Sequence, residues 1–145
     1  MPAPVSPSSP AARLVIEPAI DGYVPGVCNI GPWEIRRRWV GGILGLAIAA
    51  LLLAVLVAAG TPTIARLTVV APAWGGWFSV LQARRRFCGA YAMRRISNFG
   101  VTHATISTVE EAAAHRADMV ATARLTRDSF VLAFVTTVVA VLLPL

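Results

Sequence analysis

Long apolar stretches alternate with short polar ones along this chain. The first stretch, residues 39–60, has no charged residue over 22 positions. As a helix it reaches about 33 Å, enough to cross the roughly 30 Å hydrocarbon core of a bilayer. A second stretch, residues 67–83, follows a break at 61–66 that contains Pro62. Two apolar helices joined by so short a link predict a transmembrane helical hairpin.

The second stretch is the weaker of these two spans. It has only 17 residues and includes Pro72 and the pair Gly75–Gly76, which also suit a buried or re-entrant segment. We predict a span because the arginine triplet at 84–86 mirrors the triplet at 36–38 before the first stretch. Basic residues on the same side of both stretches are typical of an antiparallel pair.

A third apolar stretch closes the chain. Residues 129–145 carry no charge over 17 positions and extend about 25 Å as a helix. Arg124 and Arg127 can reach the interface and draw another turn into the membrane, so we place the span at about 127–145. A helix lying on the membrane surface is the alternative, but the stretch has no polar face. Upstream, Ser107-Thr108-Val109-Glu110 matches a capping box and predicts a helix start.

The rest of the sequence surrounds these spans. Residues 1–12 are rich in proline, serine and alanine and predict a disordered tail. Residues 13–38 are expected to form a cytoplasmic segment at the membrane surface, and turn signals every few positions from Arg13 to Gly31 favour extended chain over a helix there. The hairpin occupies 39–83, a cytoplasmic basic loop and helix 84–126, and the last span 127–145. The expected fold is an all-α membrane protein with three transmembrane helices.

The arginines predict the orientation. All thirteen basic residues are arginine, and eleven flank the spans on one side, whereas the 61–66 link holds only Arg66. Because basic residues mark the cytoplasmic side, we expect a cytoplasmic N-terminus and an external C-terminus. The absence of lysine and the abundance of alanine, valine and glycine favour a GC-rich bacterial genome and hence the plasma membrane. The eleven are Arg36, Arg37, Arg38, Arg84, Arg85, Arg86, Arg94, Arg95, Arg116, Arg124 and Arg127.

An export signal is the alternative for the first span. Residues 36–39 loosely resemble a twin-arginine signal. However, 35 residues precede them and the apolar stretch exceeds the usual 7 to about 15 residues of a signal. We therefore expect the first span to be retained.

Composition supports membrane placement. Hydrophobic residues form 57% of the 145-residue chain and charged residues 14%, with a mean hydropathy of +0.69, whereas soluble domains are ~45–50% apolar and ~25% charged. The net charge is +6, but the arginines lie beside apolar stretches without interleaved aromatic residues. We therefore expect contact with anionic lipids or acidic partner surfaces and not with nucleic acid. The contact residues expected are Arg36, Arg37, Arg38, Arg84, Arg85, Arg86, Arg94 and Arg95.

Small residues recur at every fourth position in the first two spans. They are Gly41, Gly45 and Ala49 in the first span, and Ala71, Gly75, Ser79 and Ala83 in the second. Such stripes allow close backbone approach in lipid, where hydrophobic drive between helices is small. In an antiparallel hairpin the two glycines of the first stripe face the last two residues of the second, and Ala49 faces Gly75. We predict packing within the hairpin, with a partner helix as the alternative.

Two cysteines and two histidines are candidates for chemistry on the cytoplasmic side. They are Cys28, Cys88, His103 and His115, a complete tetrahedral zinc set in a spacing that matches no compact zinc motif. The steps at 28–31 and 97–100 share an Asn-apolar-Gly pattern that tolerates left-handed backbone. If these turns pack together, they bring Cys28 near Cys88 and allow a reversible redox pair. Otherwise the thiols stay reduced and the histidines solvated.

Catalytic motifs are missing from the sequence. It has no nucleophile elbow, phosphate loop or haem-attachment motif. The three charge-free stretches, residues 39–60, 67–83 and 129–145, contain no Asp, Glu, Lys, Arg or His for a proton relay or ion pathway. We therefore expect a non-enzymatic accessory or structural subunit of a larger membrane complex, without a cofactor, whose partners are other subunits and anionic lipids. The alternative is a cytoplasmic-face thiol redox or metal-binding membrane protein that uses the four residues above.

Overall fold

A computed structural model describes residues 22–100 and 106–142. It is mostly helical (74%), and three helical segments are long and apolar enough to cross a membrane, as predicted: Pro32–Ala58, Thr63–Arg85, which is a 3-10 segment continued by an α-helix, and Ala112–Leu142. The tail predicted at 1–12 lies outside the described residues. In chain order the elements are α1 (Pro32–Ala58), a 3-10 segment (Thr63–Val69), α2 (Val70–Arg85), α3 (Gly89–Met93), β1 (Ile96–Asn98), β2 (Ile106–Thr108) and α4 (Ala112–Leu142).

The first helix begins earlier than the predicted span. α1 starts at Pro32 rather than near residue 39. Proline suits the first turn because the N–H that it lacks would have no helical partner there. Glu34 also lies in that turn, where a negative charge interacts favourably with the helix dipole. The helix therefore begins directly after Gly31, where the turn signals of residues 13–31 end.

The chain is also not purely helical. β1 and β2 form an antiparallel hairpin in which Ser97 pairs with Ser107. Because Ser107 belongs to a strand, the predicted capping box does not begin a helix, and α4 starts at Ala112. With 31 residues, α4 is about 46 Å long, so only part of it fits within a hydrocarbon core.

α1 and α2 pack antiparallel through glycines. A Cβ added at Gly42 would lie 2.9 Å from the backbone nitrogen of Val80, and one added at Gly45 would lie 2.8 Å from the Cα of Gly76. No side chain fits at such separations, so the backbones themselves form the interface. On α2 the contact centres on Gly76, since a Cβ added at Gly75 would meet nothing within 4 Å.

The other predicted stripe residues divide between this interface and the surface. Ala49 and Ala83 are buried, and a Cβ at Gly41 would lie 3.8 Å from Ser79 Oγ, whereas Ala71 is exposed. A four-residue repeat drifts about 40° per step against the 3.6-residue helical turn. With two adjacent glycines in α2, small-residue spacing alone did not select the packed face.

α4 runs antiparallel to α2 and is joined both to the end of α2 and to the 3-10 segment that precedes it. Arg85 at the end of α2 forms an ion pair with Asp128 at 2.6 Å. At the opposite end, the buried Arg66 donates to the carbonyl of Ala140 at 3.3 Å. The last turn of a helix has free carbonyls and a partial negative charge, so a guanidinium group is a favourable partner there.

Two tryptophans connect α2 and α4 between these ends. The indole nitrogen of Trp74 donates to Ser129 Oγ at 3.2 Å, and that of Trp77 donates to Thr136 Oγ1 at 3.0 Å. These bonds explain why the tryptophans lie within the apolar stretch rather than at its edge. In a low-dielectric environment each indole N–H needs a partner, and α4 provides it.

Candidate functional site at the arginine-rich end

One end of the bundle combines a folded polar layer with almost all the described arginines. Residues 22–31, the first turns of α1, the end of α2, α3, the β-hairpin and the first half of α4 meet there. We call this the arginine-rich end. At the opposite end, among the described residues, Arg66 is the only arginine.

Asn29 fastens the segment before α1 to the start of α3. Its side chain donates to the carbonyl of Cys88 at 3.0 Å and accepts from the Cys88 N–H at 2.7 Å. Its own N–H donates to the carbonyl of Arg86 at 3.2 Å, and its carbonyl accepts from Asn98 at 3.1 Å. Asn29 is 0% exposed, so these bonds are what make its burial tolerable.

The two Asn-apolar-Gly steps do pair, as predicted. Ile30 bridges to Asn98 in parallel orientation, and the Gly31 N–H donates to the Asn98 carbonyl at 2.8 Å. The reason for the glycine differs from the predicted one. Gly31 has φ −86°, which any residue adopts, but a Cβ there would lie 2.6 Å from the carbonyl oxygen of Phe99. Gly31 is needed for close backbone approach.

The two cysteines face different partners. Both are free thiols, with Cys88 buried and Cys28 partly exposed. The Sγ of Cys28 lies 3.8 Å from the carbonyl of Ile30, whereas the Sγ of Cys88 accepts a hydrogen bond from Arg38 at 3.2 Å. The paired turns therefore place Asn29, the residue after Cys28, in hydrogen-bond contact with Cys88. The redox pair stays a prediction.

The structure describes three of the four predicted zinc ligands, Cys28, Cys88 and His115. His115 lies in the first turns of α4, whereas His103 lies outside the described residues. In the described ranges, no three His, Cys, Asp or Glu side chains form a group that could hold a metal ion.

Glu34 is a buried carboxylate that the sequence analysis missed. It is 2% exposed and forms ion pairs with Arg37 at 3.2 Å and with Arg38 at 3.7 Å. The i,i+3 and i,i+4 spacing of one acid and two bases was the available signal. Tyr91 lies beside it. Burial, opposed by a hydrogen bond with Asn98 and reinforced by the Glu34 charge, raises the pKa of the Tyr91 hydroxyl.

Asp118 is a second buried carboxylate, 1% exposed, and holds residues 22–28 against α4. It accepts from the Tyr23 hydroxyl at 2.9 Å and from the Gly26 N–H at 2.7 Å. Burial and the hydrogen bond to Asp118 raise the pKa of Tyr23. Gly26 has φ +71°, and a Cβ there would lie 3.2 Å from the carbonyl of Ala117, so the turn requires glycine.

No protein-family model, curated protein or solved structure matches this chain. Function is therefore inferred from the chemistry of these residues.

Most of the arginine charge is not neutralised within the fold. Ion pairs among residues 22–100 and 106–142 involve four arginines of this end, Arg37, Arg38, Arg85 and Arg127. Seven others have no described carboxylate within 4 Å. These are Arg36, Arg84, Arg86, Arg94, Arg95, Arg116 and Arg124. Seven uncompensated positive charges at one end create a field that attracts anionic surfaces.

A cleft lies in the other half of the bundle. α2 packs against both α1 and α4, which make few contacts with each other. Between them opens a cavity of about 280 Å³ whose walls include Ala50, Val69 and Val139. Its lining holds no ionisable side chain, and its polar groups Trp77 and Thr136 bond to each other. The cleft suits an apolar occupant.

Proposed function

We propose that the protein is an accessory subunit of a larger assembly in a bacterial plasma membrane. A transmembrane helix of a partner subunit packs in the cleft between α1 and α4. The observation that carries this proposal is the open cleft itself, because α1 and α4 are both held on α2 and scarcely touch each other. Atoms that line the cleft have no neighbours on its open side and so lack dispersion contacts there. A tightly packed helix supplies these contacts better than mobile lipid chains do.

The walls favour a helix as occupant. Ala49, Ala50 and Ala140 line the cleft and are small enough for a second backbone to approach. Within the protein, close backbone approach at small residues already joins α1 to α2, where Gly42 and Gly45 contact the α2 backbone. The partner helix in this proposal uses small residues in the same way.

The orientation of this proposal follows the charge distribution. The arginine-rich end lies in the cytoplasm and the end with Arg66 lies outside, in accordance with the positive-inside rule. Since the lining of the cleft has no ionisable group, the role is to position or stabilise a partner rather than to conduct ions. Acidic surfaces of the partner contact the uncompensated arginines.

Site-specific photocross-linking in intact membranes tests the proposal. A photoreactive amino acid at position 50 should form one adduct of defined mass with a different membrane protein. The matched control is position 47, which is exposed on the same helix but outside the cleft lining. It should give little of that adduct. Cross-links only to lipid, or only to a second copy of this chain, would contradict an accessory role.

Co-purification provides a second measurement. Ala50→Leu fills the cleft from the α1 side and should release the partner in a mild-detergent extract, whereas Ala47→Leu should retain it. If wild-type protein migrates only as a free monomer in that extract, the accessory role is refuted.

A further inference from the structure

A second cavity opens at the arginine-rich end, beside the first turns of α1. It has a volume of about 640 Å³. Arg36 and Arg86 line it together with an apolar wall that includes Ile35, Trp39 and Ile43, and among residues 22–100 and 106–142 no carboxylate lines it. The cavity therefore combines concentrated positive charge with an apolar surface.

Arg36 is available to an external anion. Its neighbours Arg37 and Arg38 both pair with the buried Glu34, which leaves Arg36 without a described carboxylate within 4 Å. Its side chain is exposed at the cavity. Guanidinium groups bind phosphate oxygens through two parallel N–H bonds, so an arginine in this position suits a phosphate group.

Arg86 is held at the cavity in an unfavourable backbone conformation. It follows α2 with φ 52° and ψ 34°, the left-handed position where glycine usually ends a helix. Its carbonyl accepts from the N–H of Asn29 at 3.2 Å, which fixes that geometry. A non-glycine residue is disfavoured there, so glycine can replace Arg86 without backbone strain.

The apolar wall continues from the arginines along α1. Arg36, Val40 and Ile43 lie on one face of the helix, and the rise from residue 36 to residue 43 is about 10 Å. Val40 and Ile43 are exposed, as is Trp39 between the charged and apolar parts. Tryptophan at the boundary of a membrane span is typical of headgroup depth.

We propose that this cavity binds one anionic phospholipid of the adjoining leaflet. Its phosphate group lies between the guanidinium groups of Arg36 and Arg86, and the upper part of an acyl chain lies along Trp39, Val40 and Ile43. This site requires only the chain and a bilayer. It does not depend on the accessory role proposed above.

Native mass spectrometry of the full chain, extracted from bilayers with equal phosphatidylglycerol and phosphatidylcholine, tests the site. Wild type should retain one phosphatidylglycerol in preference to phosphatidylcholine. Arg36→Gln and Arg86→Gly should each weaken that retention about fivefold. The matched control Arg94→Gln/Arg95→Gln removes two arginines of the same end that do not line the cavity, and it should retain the lipid.

Arg86→Gly also separates binding from folding. Glycine suits the left-handed position, so this variant should unfold at the wild-type temperature or above while it loses the lipid. Equal retention of both lipids, or an equal loss in the Arg94/Arg95 control, overturns the site. Displacement of the lipid by excess inorganic phosphate overturns it as well, since that result assigns the cavity to a free anion.

Discussion

Gly76→Ala tests the contact on which the α1–α2 pair is built. A Cβ at position 76 would lie 2.8 Å from the backbone nitrogen of Leu46 and 2.9 Å from its Cγ. Ordinary contacts between heavy atoms are about 3.5–4.0 Å, so the helices must separate by roughly 1 Å. A rotation of the Leu46 side chain removes only the second clash, because the first is with backbone.

The matched control is Gly75→Ala, one position earlier on the same helix. A Cβ there meets nothing within 4 Å. Both substitutions change helix propensity equally, by at most about 1 kcal/mol in favour of alanine, so that effect cancels when the two are compared. The difference between them should equal the cost of overpacking, about 1–3 kcal/mol, with Gly76→Ala the less stable.

Unfolding of the purified full chain in mixed micelles, at rising proportions of denaturing detergent, measures this difference. Fluorescence of Trp74 and Trp77 reports on it, since both indoles bond to α4 in the folded state. Equal stability of the two variants would refute the contact at Gly76, and a larger loss in Gly75→Ala would indicate that Gly75 faces α1, as the small-residue spacing first predicted.

Three further predictions concern the arginine-rich end. Asn29→Ala leaves the buried N–H and carbonyl of Cys88 without their side-chain partner. It should lower the free energy of unfolding, measured by thermal denaturation, by about 2–4 kcal/mol. A change below about 0.5 kcal/mol would contradict the role of Asn29 in holding these segments together. The two tyrosines of the chain, Tyr23 and Tyr91, both have raised pKa values, so absorbance at 295 nm should detect less tyrosinate near pH 10 in the folded protein than after unfolding, when each tyrosine is about half ionised. Because the folded pKa values are the higher ones, stability should be unaffected below about pH 10 and should fall above it, and a folded-state titration near pH 10 argues against these environments. A maleimide should label Cys28 in the native protein and Cys88 only after denaturation, and rapid native labelling of Cys88 is the contrary outcome.

The three long helices could be predicted from sequence because each depends on a single local property, an apolar stretch long enough to span a bilayer. The residue at which each helix starts depends on competition between helix formation and turn or strand formation. Pro32 begins α1 directly after a segment dense in turn signals, and Ser107, which resembles an N-cap, pairs instead with Ser97 in a strand. Strands of three residues leave little pattern, so local sequence gave no sign of this hairpin.

The polar layer was only partly predictable. The pairing of residues 28–31 with 97–100 followed from their shared pattern, although the reason for Gly31 emerged only with Phe99 in place. The burial of Asp118 depends on partners 92 and 95 positions away, Gly26 and Tyr23, and no local pattern identifies such contacts. The choice between Gly75 and Gly76 likewise required the position of α1.

In each arginine triplet, some members form ion pairs within the fold and others do not. In residues 36–38, Glu34 binds the last two members, and Arg36 remains exposed. In residues 84–86, Asp128 binds the middle member, and its two neighbours have no described carboxylate within 4 Å. Because the paired members fix the backbone, the unpaired ones are presented at defined positions rather than as a diffuse charge. Topology alone requires only an excess of arginine or lysine on one side. Arg36 and Arg86, one unpaired member of each triplet, are therefore the arginines open to the anionic lipid proposed above.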